Sequence, residues 1–337
     1  MNDVLLDIQD LEVTYEVNNE VIRAVNRINI QLHKKETLGI VGEAGAGKTT
    51  TALSILGLLP KKIGFVKNGK ILFKGQNLLD LEHELIRQIR GEVISMIFQD
   101  PMTSLNPVIP IGKQIAEVLE FHNSVYQNSL MSEKNKQKKT KAEIERLVED
   151  ILQMVGISPS RKHDYPHQLS GGMKQRVVIA IALICNPELL IADEPTSALD
   201  VTIQAQILSI MEDLKDKLDT SMIMITHDLG IVAETCDTVG IMYAGQIVEF
   251  GTIKDIFTGD RHHPYTVGLI NSLPDIDSNQ DRLKAIPGLM LSPTQITEGC
   301  KFHNRCPKCF DKCSTIEPNE YVKGSHRIKC HLFSCTD

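Results

Sequence analysis

Apolar positions along the chain follow two rhythms. Residues 5–17 alternate apolar and polar side chains, and so do residues 21–32, which predicts two strands of a hairpin joined through Asn18, Asn19 and Glu20. Short unbroken apolar runs come next, at residues 37–41, 69–73, 92–98, 189–194, 221–226, 239–243 and 246–250. Runs of that length without alternation predict strands buried on both faces. Between them lie segments of helical periodicity at residues 52–58, 78–90, 111–122, 140–155, 177–184 and 201–218. Strands alternating with helices predict an α/β fold around a mainly parallel sheet.

The sharpest chemistry sits where the 37–41 strand meets the first helix. Gly42, Glu43, Ala44, Gly45, Ala46, Gly47, Lys48, Thr49 and Thr50 form a glycine-rich turn ending in Lys-Thr. In a strand–turn–helix context this spacing is a phosphate cradle. The glycines let backbone approach a polyphosphate closely, and the turn's N–H groups and the helix N-terminus point at the anion. Lys48 adds a point charge at the phosphates, and the Thr49 hydroxyl can ligate Mg²⁺.

Other strand ends carry polar groups of the right kind. The 189–194 strand finishes in Asp193 and Glu194, beside Pro195. Successive strand side chains diverge, so one carboxylate can hold Mg²⁺ while the other polarises an attacking water. Gln99 ends the 92–98 strand and His227 the 221–226 strand, and ligands of open α/β sheets gather at such carboxyl ends. Ser170, Gly171 and Gly172 make a second anion-binding helix start, which a single phosphate loop does not require. Tyr15, near the end of the first strand, is open to two readings: stacking on a nucleotide base, or ordinary strand packing.

Composition narrows the function. A net charge of -7 argues against nucleic acid as the main partner. No apolar run approaches the ~20 residues that cross a bilayer, and the N-terminus lacks a signal-peptide pattern, so a cytoplasmic protein is expected. The basic run Lys134, Lys136, Lys138, Lys139 and Lys141 reads as a solvated face. Of eight cysteines, Cys185 and Cys236 read as small core residues, while six crowd into residues 300–335. In a reducing compartment that crowding points to a metal site before disulfides.

Taken together, the motifs over about the first 260 residues resemble the ATP-binding-cassette (ABC) ATPases. Residues 42–49 match the family's Walker A loop and 189–194 its Walker B strand. Gln99 matches the Q-loop, residues 169–175 the signature motif, residues 197–200 with Asp200 the D-loop, and His227 the switch histidine. The resemblance implies ATP and Mg²⁺ as ligands. It implies adenine stacking for Tyr15, Mg²⁺ ligation through Thr49, Gln99 and Asp193, and catalysis by Glu194 with His227, Gln99 and Lys48. It also implies head-to-tail pairing of two cassettes, in which Ser170 and Gly172 reach the γ-phosphate held by the partner. The fold expected is thus a P-loop cassette over residues 1–255 with a helical subdomain inserted at about 102–169.

A run from Met96 to Pro107, together with His263-Pro264-Tyr265-Thr266 and Ile286-Pro287-Gly288, resembles the oligopeptide and dipeptide importer ATPases. That subfamily also includes nickel importers. Membership implies two membrane permeases, a second and unlike ATPase subunit (a homodimer being open for the isolated chain), and indirectly an extracytoplasmic solute-binding protein. It implies a peripheral place on the cytoplasmic face of the membrane. A soluble cassette serving ribosomes or DNA is the alternative class, but relatives of that kind carry paired cassettes or long coiled-coil insertions. Residues 256–337 are expected to form a small cysteine-rich domain. Its Cys300, Cys306, Cys313 and Cys330 resemble a [4Fe–4S] motif of some importer ATPases, with a zinc site as the alternative because Cys306-Pro307-Lys308-Cys309 offers a knuckle.

Overall fold

The computed structural model describes residues 3–125, 139–197, 199–273, 286–291, 294 and 297–333. Two compact units emerge, one of Met1–Leu79 with Met224–Asp337, the other of Asp80–Ile223.

The first unit opens with strands β1 (Val4–Val17) and β2 (Glu20–His33), paired antiparallel. Their turn is Asn18-Asn19 alone, both at positive φ (51° and 64°), and Glu20 already pairs with Val17. Asparagine tolerates the left-handed region that a two-residue hairpin turn requires, which shortens the three-residue turn expected. Strand β3 (Thr37–Val41) is buried throughout and leads through the glycine-rich turn into helix α1 (Lys48–Ile55). Strand β4 (Gly64–Phe73) starts ahead of the expected residue 69, because residues from Gly64 onward pair with β1 from Tyr15 inward. With β5 (Gln76–Asn77) it completes an antiparallel sheet in the order β2-β1-β4-β5.

The helix expected over 78–90 is broken. A 3₁₀ turn covers Leu78–Asp80, and helix α2 spans only His83–Ile89. The Asn77 side-chain oxygen accepts the N–H groups of Ile71 and Leu79, the second as a cap on the 3₁₀ turn.

Within the second unit, β6 (Ile94–Ile97) is followed by α3 (Pro101–Ser104), α4 (Ile111–Val125), α5 (Lys141–Met154) and α6 (Gly171–Leu183). Strand β7 (Leu189–Asp193) and helix α7 (Val201–Leu218) complete it. Strands β6 and β7 run parallel, Ile94 beside Leu189 and Ile97 beside Ala192. Helix α5 begins with a reciprocal cap in which Thr140 Oγ1 accepts the Glu143 N–H and the Glu143 carboxylate accepts the Thr140 N–H. Lys162 binds back onto the same helix through Glu145 and Glu149 at 2.6 and 2.7 Å. Lys134, Lys136 and Lys138 of the basic run lie outside the described residues.

Strand β8 (Ser221–Thr226) returns the chain to the first unit. Helix α8 (Leu229–Thr235), strands β9 (Thr238–Tyr243) and β10 (Gln246–Thr252), and helices α9 (Ile253–Thr258) and α10 (Pro264–Asn271) follow. The last elements are α11 (Asp311–Thr315) and the hairpin β11 (Glu320–Lys323) and β12 (His326–Lys329). Strand order here is β11-β12-β10-β9-β3-β8, with β3 parallel to β9 and β12 antiparallel to β10. The C-terminal hairpin therefore extends the sheet that carries the glycine-rich turn. Val41, Val239, Ile241 and Tyr243 of that sheet pack in one buried cluster with Tyr265 and Phe302. Among the described residues, no helix is long and apolar enough to cross a membrane.

Candidate functional site

The glycine-rich turn leaves β3 at Gly42, where an added Cβ would lie 2.1 Å from the Met242 carbonyl oxygen. At Gly47, φ is +108° and a Cβ would come within 2.3 Å of the Ala24 carbonyl oxygen. Gly45 also has positive φ (+81°). The loop thus takes a path that only glycine permits, and it delivers its N–H groups to the start of α1. The Lys48 side chain is buried, and its Nζ donates to the carbonyl oxygens of Gly42 (2.7 Å) and Glu43 (3.1 Å). A lysine curled over its own loop is positioned for a phosphate chain, whose oxygens would draw it outward. Ala46 is fully buried within the turn, while Ala44 is exposed. Thr49 and Thr50 begin the helix.

Tyr15 is half-buried at the end of β1, its hydroxyl 3.3 Å from Thr50 Oγ1, so the ring sits beside the loop's exit into α1. His227 lies exposed immediately after β8, where the Asp228 N–H donates to Thr226 Oγ1 at 3.0 Å. Tyr15, residues 42–50 and His227 all belong to the first unit.

Sequence reasoning missed what braces the loop from behind. The Glu43 N–H donates to the Tyr265 hydroxyl at 3.0 Å. Arg305 donates to both Glu43 carboxylate oxygens, at 2.9 and 3.1 Å, and also to the Pro287 carbonyl oxygen at 2.9 Å. Bidentate contact of this kind fixes a carboxylate in orientation as well as position. Burial and the neighbouring Glu43 charge push the Tyr265 phenol well above its usual range, so it stays neutral and can receive the loop N–H. A signal does exist, since Ile286-Pro287-Gly288 and His263-Pro264-Tyr265-Thr266 are the two C-terminal motifs that the sequence singles out.

The second unit gathers the other expected residues. Asp193 is buried at the end of β7. Glu194 is not part of the strand, as it turns away at φ +46°. Its divergence from Asp193 therefore comes from a left-handed backbone, uncommon for a non-glycine residue, and not from strand alternation. Gln99, exposed two residues past β6, donates from Nε2 to Glu194 Oε2 at 2.9 Å. Helix α6 starts at Gly171, as the Ser170-Gly171-Gly172 helix start predicts, with Ser170 as its N-cap accepting the Met173 N–H at 3.4 Å. A Cβ on Gly172 would meet Ile203 Cγ2 at 2.6 Å, whereas one on Gly171 would touch only Leu199 at 3.9 Å. Asp200 caps α7 through the Ile203 N–H at 3.0 Å. Ala198, between Ser197 and Asp200, lies outside the described residues.

Seven of the cysteines are described, all as free thiols, and Cys335 lies outside the described residues. Cys185 is pushed up to about 12 by burial, in keeping with a core thiol. Cys300 is likewise pushed up to about 12 by burial, with Cys330, Cys313 and Cys306 adding to the rise. Cys330 rises to about 11 through burial, with Cys306 and Cys313 adding to it. Cys306 is raised as well, chiefly by burial, while the backbone at Phe302, Lys308 and Leu332 acts in the opposite direction on Cys300, Cys306 and Cys330.

Comparison with known proteins agrees with this geometry. A family model described as "ABC transporter" matches residues 25–197, and one described as "Oligopeptide/dipeptide transporter, C-terminal region" matches residues 248–313. The chain is 47% identical over 332 residues to the oligopeptide transport ATP-binding protein AppD of Bacillus subtilis (strain 168), covering 98% of this chain and 97% of that one. It is 45% identical to the oligopeptide transport ATP-binding protein OppD of Escherichia coli (strain K12), covering 96% and 92%. Among solved structures, the dimeric ATP-binding cassette MJ0796 with ADP and Pi aligns at a TM-score of 0.62 and 24% identity over 74% of this chain and 98% of that one, a likeness of fold. The cassette cbiO1 from Clostridium perfringens aligns at a TM-score of 0.62 and 29% identity, covering 76% and 91%. The chain belongs to the ABC transporter family of ATP-hydrolysing cassettes, and its C-terminal part to the oligopeptide/dipeptide transporter C-terminal family.

Proposed function

We propose that the chain is the ATP-binding and ATP-hydrolysing subunit of a dipeptide or oligopeptide importer, working on the cytoplasmic face of the membrane beneath two permease subunits and paired with a second cassette. The observation that carries this reading is likeness across almost the whole length, C-terminal region included, to proteins named for oligopeptide transport. Residues 1–255 serve as the cassette, with a helical insertion at about 102–169, and residues 256–337 as the extension. A chromosomal Lys48→Ala variant should lose ATP-dependent uptake of a radiolabelled tripeptide. Intact peptide uptake alongside lost nickel uptake would overturn the peptide assignment.

In this reading, residues 42–50 wrap the phosphates and Lys48 swings from its two carbonyls onto them. Tyr15 stacks on the adenine, a contact typically worth ~1–3 kcal/mol. Thr49, Asp193 and Gln99 supply oxygen ligands suited to Mg²⁺, which would offset charge on the phosphates. Glu194 takes the proton of the attacking water, and its bond to Gln99 ties that base to a residue in the surface that meets the permeases. His227 orients the same water. From the second cassette, the counterparts of Ser170, Gly171, Gly172 and Asp200 close over the phosphates.

Cys300, Cys306, Cys313 and Cys330 are read as ligands of a [4Fe–4S] cluster with a structural role. Four cysteines close in sequence, Cys313 and Cys330 buried and Cys300 and Cys306 half-buried, offer the thiolates such a cluster takes. Anaerobically purified protein should be brown and contain iron and sulfide. Colourless protein with zinc on these cysteines would reject the cluster.

A further inference from the structure

Strand β10 is buried from Gln246 to Gly251, yet it carries Glu249, whose side chain is fully enclosed. Two imidazoles from distant segments converge on one oxygen of that carboxylate. His262 Nδ1, from the segment before α10, and His326 Nε2, from the first residue of β12, each lie 2.9 Å from Glu249 Oε1. The sheet register explains the approach. Glu249 faces Ile328 and Phe250 faces Arg327, so His326 stands diagonally across from Glu249 on the same face. The other carboxylate oxygen accepts the His263 N–H at 2.7 Å.

His262 has acceptors on both sides, because its Nε2 meets the Gly259 carbonyl oxygen at 2.7 Å. That second contact is the one metal-bound histidines make, with the far ring N–H donating to a backbone carbonyl and leaving the near nitrogen's lone pair free to ligate. Asp260 and Asp255 stand near enough to act on His262 and His326, so three carboxylates surround two imidazoles. A divalent cation answers that charge. The three ligand atoms all lie within 4.8 Å of one another, and the two 2.9 Å spacings are close to the ~3.3 Å between ligands of a tetrahedral ion at ~2.0 Å.

We propose that Glu249, His262 and His326 form a binding site for a divalent first-row transition ion, Zn²⁺ foremost, with a fourth position open to water. Two imidazoles and a carboxylate are a ligand set that zinc accepts. The ion would pin β12 and the segment before α10 onto β10, locking the C-terminal region to the sheet that carries the phosphate loop. Its donors are nitrogen and oxygen only, although Glu249 stands near enough to act on Cys330.

The test uses the full-length chain, freed of metal by a chelator and titrated with Co²⁺. The expected result is one equivalent, beyond any that the cysteines take up with an intense thiolate-to-metal band, whose binding adds only weak visible d–d bands and no further thiolate band, and a rise in Tm when Zn²⁺ replaces Co²⁺. His262→Gln and His326→Gln should each weaken that binding by about 100-fold or more, since even the loss of a supporting contact costs 10–100-fold. Both should also lose the rise in Tm. If the wild-type chain shows no Co²⁺ signal of the nitrogen–oxygen type, or if His262→Gln binds as the wild type does, the proposal falls and the triad is a proton-sharing latch. Because the wild-type spectrum decides by itself, a variant that fails to fold does not remove the test.

Discussion

Glu194→Gln is expected to retain ATP binding and to lower steady-state ATP turnover by about 100-fold or more, because the amide keeps the shape of the side chain and cannot take a proton from water. The substitution is nearly isosteric where it matters, as the glutamine carbonyl oxygen can still accept the Gln99 Nε2–H that now reaches Glu194 Oε2. The loss should therefore appear in kcat with little change in nucleotide affinity, and gel filtration with ATP should show a trapped pair of cassettes. Turnover within a few-fold of wild type would remove Glu194 from the role of base.

Gly47→Ala is expected to cost about 3 kcal/mol of stability and to abolish ATP binding. At φ +108° an L-residue is strained by about 1–2 kcal/mol, and overpacking against a fixed neighbour typically adds 1–3 kcal/mol. That neighbour is the Ala24 backbone carbonyl, which would stand 2.3 Å from the new methyl group and has no rotamer with which to move aside. Gly171→Ala is the matching control for stability. Its methyl group would meet only Leu199 at 3.9 Å, and alanine is favoured over glycine in a helix by up to ~1 kcal/mol. Thermal unfolding of the two variants, with equilibrium binding of a fluorescent ATP analogue to Gly47→Ala, checks both effects. Equal Tm values for the two would mean that the loop tolerates a side chain at position 47.

The elements nearest the loop were legible because their signals are local. Strand β3, the glycine-rich turn and α1 are encoded in fewer than twenty consecutive residues, as are β7 with its acidic end and Ser170 as a helix cap. Strand α-to-β alternation likewise carries the order of the elements. Less was legible where apolar periodicity runs on across a break in the backbone, as between the 3₁₀ turn Leu78–Asp80 and α2. The positive φ of Glu194 had no local signal, since neither Glu nor the following Pro marks a left-handed residue. Long-range pairs were the least legible of all. Glu249 within an apolar strand announces that a partner exists, yet nothing in its vicinity names His326, 77 positions away. The grip of Arg305 on Glu43 spans 262 positions, and the pattern of apolar residues carries no trace of it.

That grip bears on how such chains can be recombined. Glu43 is a member of the phosphate loop, while Tyr265 and Arg305 arrive from the far end of the chain, and Phe302 covers Tyr243 beside them. A graft that kept the cassette and exchanged everything after α9 for the tail of a cousin would have to carry matching partners for position 43, or leave a loop carboxylate and a patch of bare aromatic surface behind. A chimera joined between cassette and tail therefore works only when the incoming tail brings a phenol and a guanidinium to meet position 43.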